Sequence, residues 1–196
     1  MPYYKGRMEN FEKQIIEKEM LKMKSIVIYT SQTGFTKKYA EWISEAAGCK
    51  CVNLKKVRKS KLTEYDAIVF GGWCMAGGIK KLPWFKKQIP ALTATGKKVI
   101  VFMVGANPAD NPEAETSLRR NFTDDEWSKI KAFYCPGGLN YDKMSLGSKM
   151  ALKMLIKILS CKKDATEEDM RMIEMISKSY DISDKKYIEP IVAELS

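Results

Sequence analysis

A doubly wound α/β domain is the fold class that this sequence predicts: a five-stranded parallel sheet, helices on both faces, and extra helices at the C-terminus. Three observations predict it. Short β-rich runs alternate with helical segments from Ser25 onward, the pattern of parallel strands joined by crossover helices. Two of those runs, residues 66–71 and 97–104, are apolar almost throughout, as strands covered on both faces must be. At 196 residues the chain is long enough for one such domain with a substantial core and too short for two.

In chain order, residues 1–22 read as an extension to a domain of residues 23–196. Residues 9–22 are predicted helical, because Phe11, Ile15, Ile16 and Met20 recur at helical spacing among charged neighbours. Residues 25–30 form the first strand, followed by a loop and the helix Phe35–Ala47, which Gly48 closes. Residues 50–54 and 66–71 are the second and third strands. A glycine-rich loop then runs to Gly78, and a helix lies near residues 82–88. The fourth strand, residues 97–104, is the strongest. After it come a Pro/Asn/Asp loop, a helix over 112–120 and a short helix opened by the capping box Thr123–Glu126. Residues 130–134 are the fifth strand. Three helices complete the chain: Leu146–Ser160, residues 166–179 capped by Thr166 with Asp169 in the first turn, and residues 190–195 opened by Pro190.

Composition narrows the function. Apolar residues make up 45% of the chain and charged residues 30%, ordinary for a globular protein. No apolar run approaches the roughly 18 residues needed to span a bilayer, and residues 1–24 lack the apolar core of a secretory signal, so a cytoplasmic location is expected. Five cysteines, Cys49, Cys51, Cys74, Cys135 and Cys161, are odd in number and show no framework spacing, which argues against a disulfide scaffold. Histidine is absent altogether. Imidazole metal sites and histidine-based hydrolytic triads are thereby excluded, and no metal is expected.

The net charge of +10 is concentrated in two segments. Residues 50–61 hold six basic side chains and no acid, and residues 143–163 hold another six, so the rest of the chain is slightly acidic at −2. Such patches suit an anionic partner or surface, or serve solubility alone. No nucleic-acid partner is expected.

The loops at the carboxyl ends of the strands are where a doubly wound sheet binds its ligand. The first, residues 30–36, reads Thr-Ser-Gln-Thr-Gly-Phe-Thr. Hydroxyls at Ser31, Thr33 and Thr36, a flexible Gly34 and the positive end of the following helix are what a phosphate requires. Lys37 and Lys38 sit in the first helical turn, where cations oppose the helix dipole and an anion would relieve them; a hydroxyl-rich cap with nothing bound is the plain alternative. Other phosphate loops fit poorly. The chain has no Gly-x-x-x-x-Gly-Lys-[Ser/Thr] and no Gly-x-Gly-x-x-Gly. A phosphoacceptor receiver domain would need acids where Tyr29, Thr30 and Ser31 stand.

With that loop, the sequence resembles the flavodoxin family, whose hallmark is Ser/Thr-x-Thr-Gly-x-Thr after the first strand. The resemblance runs from Lys24 to the C-terminus in element order. It implies strand order 2-1-3-4-5 and bound FMN, with the phosphate held by Ser31, Gln32, Thr33, Gly34, Phe35 and Thr36. Phe35 departs from the small polar residue usual at its place. By the same resemblance, the loop after the third strand (Trp73, Cys74, Met75, Ala76 and Gly77) lies against the flavin ring, with Trp73 or Met75 stacking on it; Cys74 itself reads as a small buried apolar group, as free cysteines usually are. Gly105, Ala106 and Asn107 would form the opposite wall. Residues 135–144 with the helix after them resemble the flavodoxin-domain subgroup that includes the bacterial quinone-linked protoporphyrinogen dehydrogenase. There Gly137, Gly138, Leu139 and Asn140 would reach the flavin from its open side.

Two functions follow from the resemblance, an FMN-dependent dehydrogenase linked to quinone and a non-enzymatic electron carrier docking to a redox partner protein. A scaffold that has lost its flavin is the third reading, which the intact hydroxyl loop disfavours. The helix Leu146–Ser160 adds one expectation. At about 100° per residue, Lys149, Lys153 and Lys157 make a stripe roughly 80° wide, and apolar residues cover more than half of the circumference. That suits an anionic membrane interface or a hydrophobic partner, while burial between the core and the C-terminal helices is the alternative.

Overall fold

The computed structural model describes residues 23–196; the extension over residues 1–22 and its expected helix lie outside the described residues. Strands β1 (Ser25–Tyr29), β2 (Lys50–Asn53), β3 (Ala67–Met75), β5 (Lys98–Gly105) and β6 (Lys131–Pro136) pair in parallel in the order β2-β1-β3-β5-β6. This is the expected 2-1-3-4-5 path once one short strand is counted. That strand, β4 (Gly78–Ile79), folds back antiparallel on the end of β3. The expected glycine-rich loop is therefore corrected: Gly71 to Met75 continue β3, and only Ala76 and Gly77 turn. Both have positive φ, 50° and 77°, as a two-residue hairpin matched to the strand twist requires.

Alternation along each strand divides the core in two. From β1, Ile26 and Ile28 face one way and Val27 the other. Helix α1 (Phe35–Ala47) covers the second face with Tyr39, Ala40 and Ile43, joined by α8 (Glu189–Ala193) through Ile191. On the first face lie α2 (Leu82–Lys86), α3 (Ile89–Ala94), α4 (Pro112–Arg119) and α5 (Asp124–Ser128). Phe70 of β3 stacks on Phe85 of α2 at 4.7 Å between ring centroids, nearly parallel. The Thr123–Glu126 capping box forms as expected, with both reciprocal bonds present.

Tyr39 bolts the C-terminus to this frame. Its buried hydroxyl donates to the Pro136 carbonyl at 2.6 Å and accepts from the Asp184 amide at 3.1 Å. Desolvation pushes the phenol well above its ordinary pKa, so it stays a neutral donor. Past β6, the chain makes β7 (Gly138–Leu139), then α6 (Leu146–Ser160) and α7 (Glu167–Ile176), and returns as β8 (Tyr180–Asp181), antiparallel to β7. Helix α7 is shorter than the expected 166–179, because Tyr180 and Asp181 are drawn into pairing with β7. Gly138 makes that pairing possible: a Cβ there would lie 2.1 Å from the Tyr180 carbonyl oxygen. Helix α6 has the expected bounds and packs on α7, yet none of its residues is buried.

Gly71 marks the tightest contact of the sheet, since a Cβ would stand 2.0 Å from the buried Phe102 ring. Gly71→Ala is expected to destabilise the domain by about 1–3 kcal/mol through overpacking. Urea unfolding checks this, with a lower midpoint at unchanged slope as the predicted result.

Candidate functional site

All five parallel strands end at the same edge of the sheet, so the loops following β1, β3, β5 and β6 converge there. The loop after β1 begins by extending the sheet, with the Thr30 amide donating to the Gly71 carbonyl at 2.9 Å. It then turns sharply, and the Ser31 hydroxyl accepts from the Gly34 amide at 3.2 Å. Gly34 is the N-cap of α1, in left-handed conformation at φ 109°. It has no side-chain cap, the first turn holds no acid, and the space beside its Cα is open. The first-turn amides of α1 thus face outward without a side-chain acceptor, an arrangement that fits an anion.

The two lysines of that turn do not wait for one. Lys37 pairs with Glu41 at 3.4 Å. Lys38 reaches Asp181 Oδ2 at 2.9 Å and the Ser183 hydroxyl at 2.7 Å, while lying 4.9 Å from the Trp42 ring centroid. Burial opposes the charge on Asp181, but hydrogen bonds from Ser183 and Lys38 outweigh it and hold the carboxyl below its ordinary pKa. Sequence reading placed these lysines beside an external anion. The fold brings Asp181 to Lys38 from 143 residues away.

Two hollows flank Thr33 and Phe35. The larger, of about 460 Å³, opens between the α1 N-terminus and the β7–β8 pair and takes in Gly34, Lys38, Asn140 and Lys143. The other is a more enclosed, mainly apolar cavity of about 360 Å³. Gln32, Thr33 and Phe35 stand on one side of it, Trp73, Cys74, Met75 and Ala76 on another, and Gly105 and Ala106 on a third. The structure therefore brings together residues from all three predicted loops. Gly138 and Leu139 complete the wall, with Asn140 in the neighbouring hollow and Gly137 packed below against Val104 and Phe35. The remaining predicted residues stand behind it. Thr36 is buried in α1 at 1% exposure; Ser31 shapes the turn; Gly77 and Asn107 use their carbonyls as structural acceptors.

Those acceptors are engaged by residues that sequence reading missed. Asn121 clasps the β3–β4 hairpin, donating to the Gly77 carbonyl at 2.9 Å and accepting from the Ile79 amide at 2.9 Å. Below the third loop, the Tyr134 hydroxyl donates to the Asn107 carbonyl and the Tyr180 hydroxyl to the Ala106 carbonyl, each at 2.8 Å. Burial pushes both phenols up, Tyr180 to about 12. They remain protonated donors and hold the loop rigid.

Helix α6 roofs the cavity with Ser148, Ala151, Leu152 and Leu155, one face at i, i+3, i+4 and i+7 spacing. The Ser148 hydroxyl donates to Gln32 Oε1 at 2.9 Å, tying roof to first loop. The width of the apolar surface of α6 was the one sequence signal of this role, since a helix both covering a cavity and exposed behind it needs apolar residues on two faces. Cys74 is part-buried, and desolvation raises its thiol pKa. This fits packing rather than nucleophilic chemistry.

A family model described as the flavodoxin domain matches residues 26–167. Among solved structures, a flavodoxin described as a WrbA-like protein from Agrobacterium tumefaciens is 15% identical, covering 89% of this chain and 99% of its own, with a TM-score of 0.44. The two-electron reduced flavodoxin of Megasphaera elsdenii is 19% identical over 65% of this chain and 92% of its own, at a TM-score of 0.44. A Lactobacillus acidophilus flavoprotein solved with FMN is 14% identical over 58% and 92%, at 0.39. No curated protein matches.

The thiol environments lead to one expectation. Iodoacetamide at about pH 8, near the unperturbed thiol pKa, should label exposed Cys161 first in the native protein and leave Cys74 and buried Cys135 largely untouched. Peptide mapping by mass spectrometry reads the order, and early labelling of Cys74 would contradict the packing role.

Proposed function

Because the chain belongs to the flavodoxin family, we propose that it binds FMN at the carboxyl ends of β1, β3 and β5 and acts as an FMN-dependent oxidoreductase that passes electrons from a reduced substrate to a quinone or another carrier. When bound, FMN supplies the reversible electron chemistry. The chain's own residues bind and orient it. The uncapped first turn of α1 with the Thr30–Gly34 loop suits the phosphate, and Trp73, Met75, Gly105 and Ala106 flank the space for the ring. The half-buried tyrosines beneath the third loop keep that wall in place.

The observation that carries the enzymatic part is the roof. Leu139, Met144, Leu152 and Leu155 close over the same apolar cavity of about 360 Å³ that the predicted ring-binding loops line. A carrier that gives up electrons through an exposed flavin edge has no use for an apolar roof over that edge, whereas a dehydrogenase that shelters a flat apolar substrate beside the ring does. Water exclusion by these side chains would favour direct contact between substrate and flavin. A non-enzymatic carrier is the second reading, favoured by the lysine-rich surface, which suits acidic redox partners.

Part of α6 faces outward, and this supports docking at the inner face of a membrane. Leu146, Met150, Met154 and Ile158, four residues apart, are 80%, 70%, 66% and 58% exposed. Lys149, Lys153 and Lys157 run beside them, and α6 carries no acid. No helix among the described residues is long and apolar enough to cross a membrane, so the contact would be peripheral, with the apolar stripe in the acyl boundary and the lysines on anionic headgroups.

The purified protein is expected to be yellow and to release FMN on extraction. Ser31→Asp, which keeps an acceptor for the Gly34 amide but sets a carboxylate beside the phosphate loop, should weaken FMN binding at least about tenfold, or 1.4 kcal/mol. Material that stays colourless with excess FMN would refute the proposal. With flavin loaded, turnover of protoporphyrinogen with a quinone is expected; reduction by a flavodoxin reductase without such turnover would select the carrier. Replacing Lys149, Lys153 and Lys157 by glutamate should abolish sedimentation with anionic phospholipid vesicles.

A further inference from the structure

The crossover from β2 to β3 differs from the others in this sheet. A parallel connection usually lays an α-helix across the strands it spans. Here residues 54–66 make only two 3-10 turns, Leu54–Lys56 and Lys59–Glu64. They run on the sheet face opposite α1, as Leu62 and Tyr65 pack into the same core cluster as Ile26 and Ile28. These short turns do not fill the room a helix would occupy, and a groove of about 330 Å³ remains over β1 and β2.

Two features of that groove are paired in an unusual way. Its floor is apolar, formed by Ile26 and Val52 from the strands and by Val57 and Tyr65 from the crossover. Its rim is cationic. Lys50, Lys56, Arg58 and Lys61 all line it, and no acidic residue does. Among the described residues, none of the four takes part in an ion pair. This contrasts with α1, where each first-turn lysine has a carboxylate. Like charges around one concavity repel, the more so beside an apolar floor that lowers the local dielectric.

The geometry points to a second ligand site here, for a phosphate ester of about mononucleotide size. Neither feature alone needs such a ligand: lysines kept for solubility have no use for an apolar hollow, and a plain hydrophobic groove has no use for four cations. Together they match an amphipathic anion whose apolar or aromatic body rests on Val52 and Tyr65 and whose phosphates meet the rim. The Arg58 guanidinium can take two phosphate oxygens side by side, and the lysines act as point charges. The volume lies at the lower end of the range for small-molecule sites, roughly 300–1,000 Å³. The groove is separate from the FMN site. Ile26 is the second residue of β1 and Lys50 the first of β2, so it opens toward the amino ends of the strands, and the inference stands whether or not FMN binds.

Calorimetric titration of the full chain, pre-saturated with FMN, with ATP, AMP and inorganic tripolyphosphate tests it. Saturable ATP binding is expected, weakening as salt rises, since the rim charges are solvent-facing. ATP should bind several-fold more tightly than tripolyphosphate, because only ATP has a body for the floor. The K56E/R58E variant, which changes two exposed side chains, should lose at least about tenfold in ATP affinity, or 1.4 kcal/mol, while keeping its melting temperature and its FMN content. Equal affinity for ATP and tripolyphosphate would overturn the site as a ligand groove and leave a bare cation cluster. Absence of saturable ATP binding, or binding unaltered in K56E/R58E, would also overturn it, as would binding of an acidic peptide alone, which would make the rim a protein-docking surface.

Discussion

Strand β3 is the constraint on which the candidate site rests, because the loops after β1, β3 and β5 that wall the cavity are all indexed to it. It pairs with β1 from Ser25↔Ala67 to Tyr29↔Gly71 and with β5 from Ala67↔Lys98 to Trp73↔Val104. Those two registers bring Tyr29 at the end of β1, Gly71 in the middle of β3 and Phe102 in the middle of β5 to the same level. The first loop then leaves the sheet beside Gly71, while β3 itself climbs two residues further in pairing with β5 and turns over at Ala76–Gly77. A slip of one residue in either register would invert the faces of β3 and dismantle both core clusters. The position of the loops is therefore enforced by the burial of Ile68, Val69 and Phe70, far from any ligand.

A second layer of control comes from side chains with no part in the predicted motifs. Asn121, Tyr134 and Tyr180 each spend their polar atoms on loop carbonyls. Tyr39 joins α1, the end of β6 and the C-terminal segment through one buried hydroxyl. The phenols are kept neutral by desolvation, so these bonds hold across the physiological pH range. The loops that line the cavity are held from beneath by rigid donors, which leaves their cavity-facing surfaces available.

Helix α6 stands apart from that frame. It is tied to the first loop by Ser148 and to α7 by packing, but no residue of it is buried. A helix with apolar residues toward a cavity and also toward the outside has two jobs to reconcile. One face closes the cavity over the strand ends, and the other leaves Leu146, Met150, Met154 and Ile158 exposed. The two faces share one rigid element, so anything that engages the outer face acts directly on the roof of the chamber.

Local patterning sufficed for the fold class, the bounds of α1 and α6, the Thr123–Glu126 capping box and the loops that meet at the cavity, while the strand order came with the family resemblance. These features are written in short stretches: apolar runs, Ser/Thr caps and glycine turns act on their near neighbours. The extension of β3 through Gly72 and Trp73 was hidden because glycines read as loop, and only pairing with β5 makes them strand. The β7–β8 pairing was hidden because two-residue strands have no periodicity, and its partners are some 40 residues apart. Lys38 illustrates the division. Its place in the first turn of α1 was legible in the chain, but its partner Asp181 was not, because an ion pair is chosen by proximity in space, which tertiary packing alone decides.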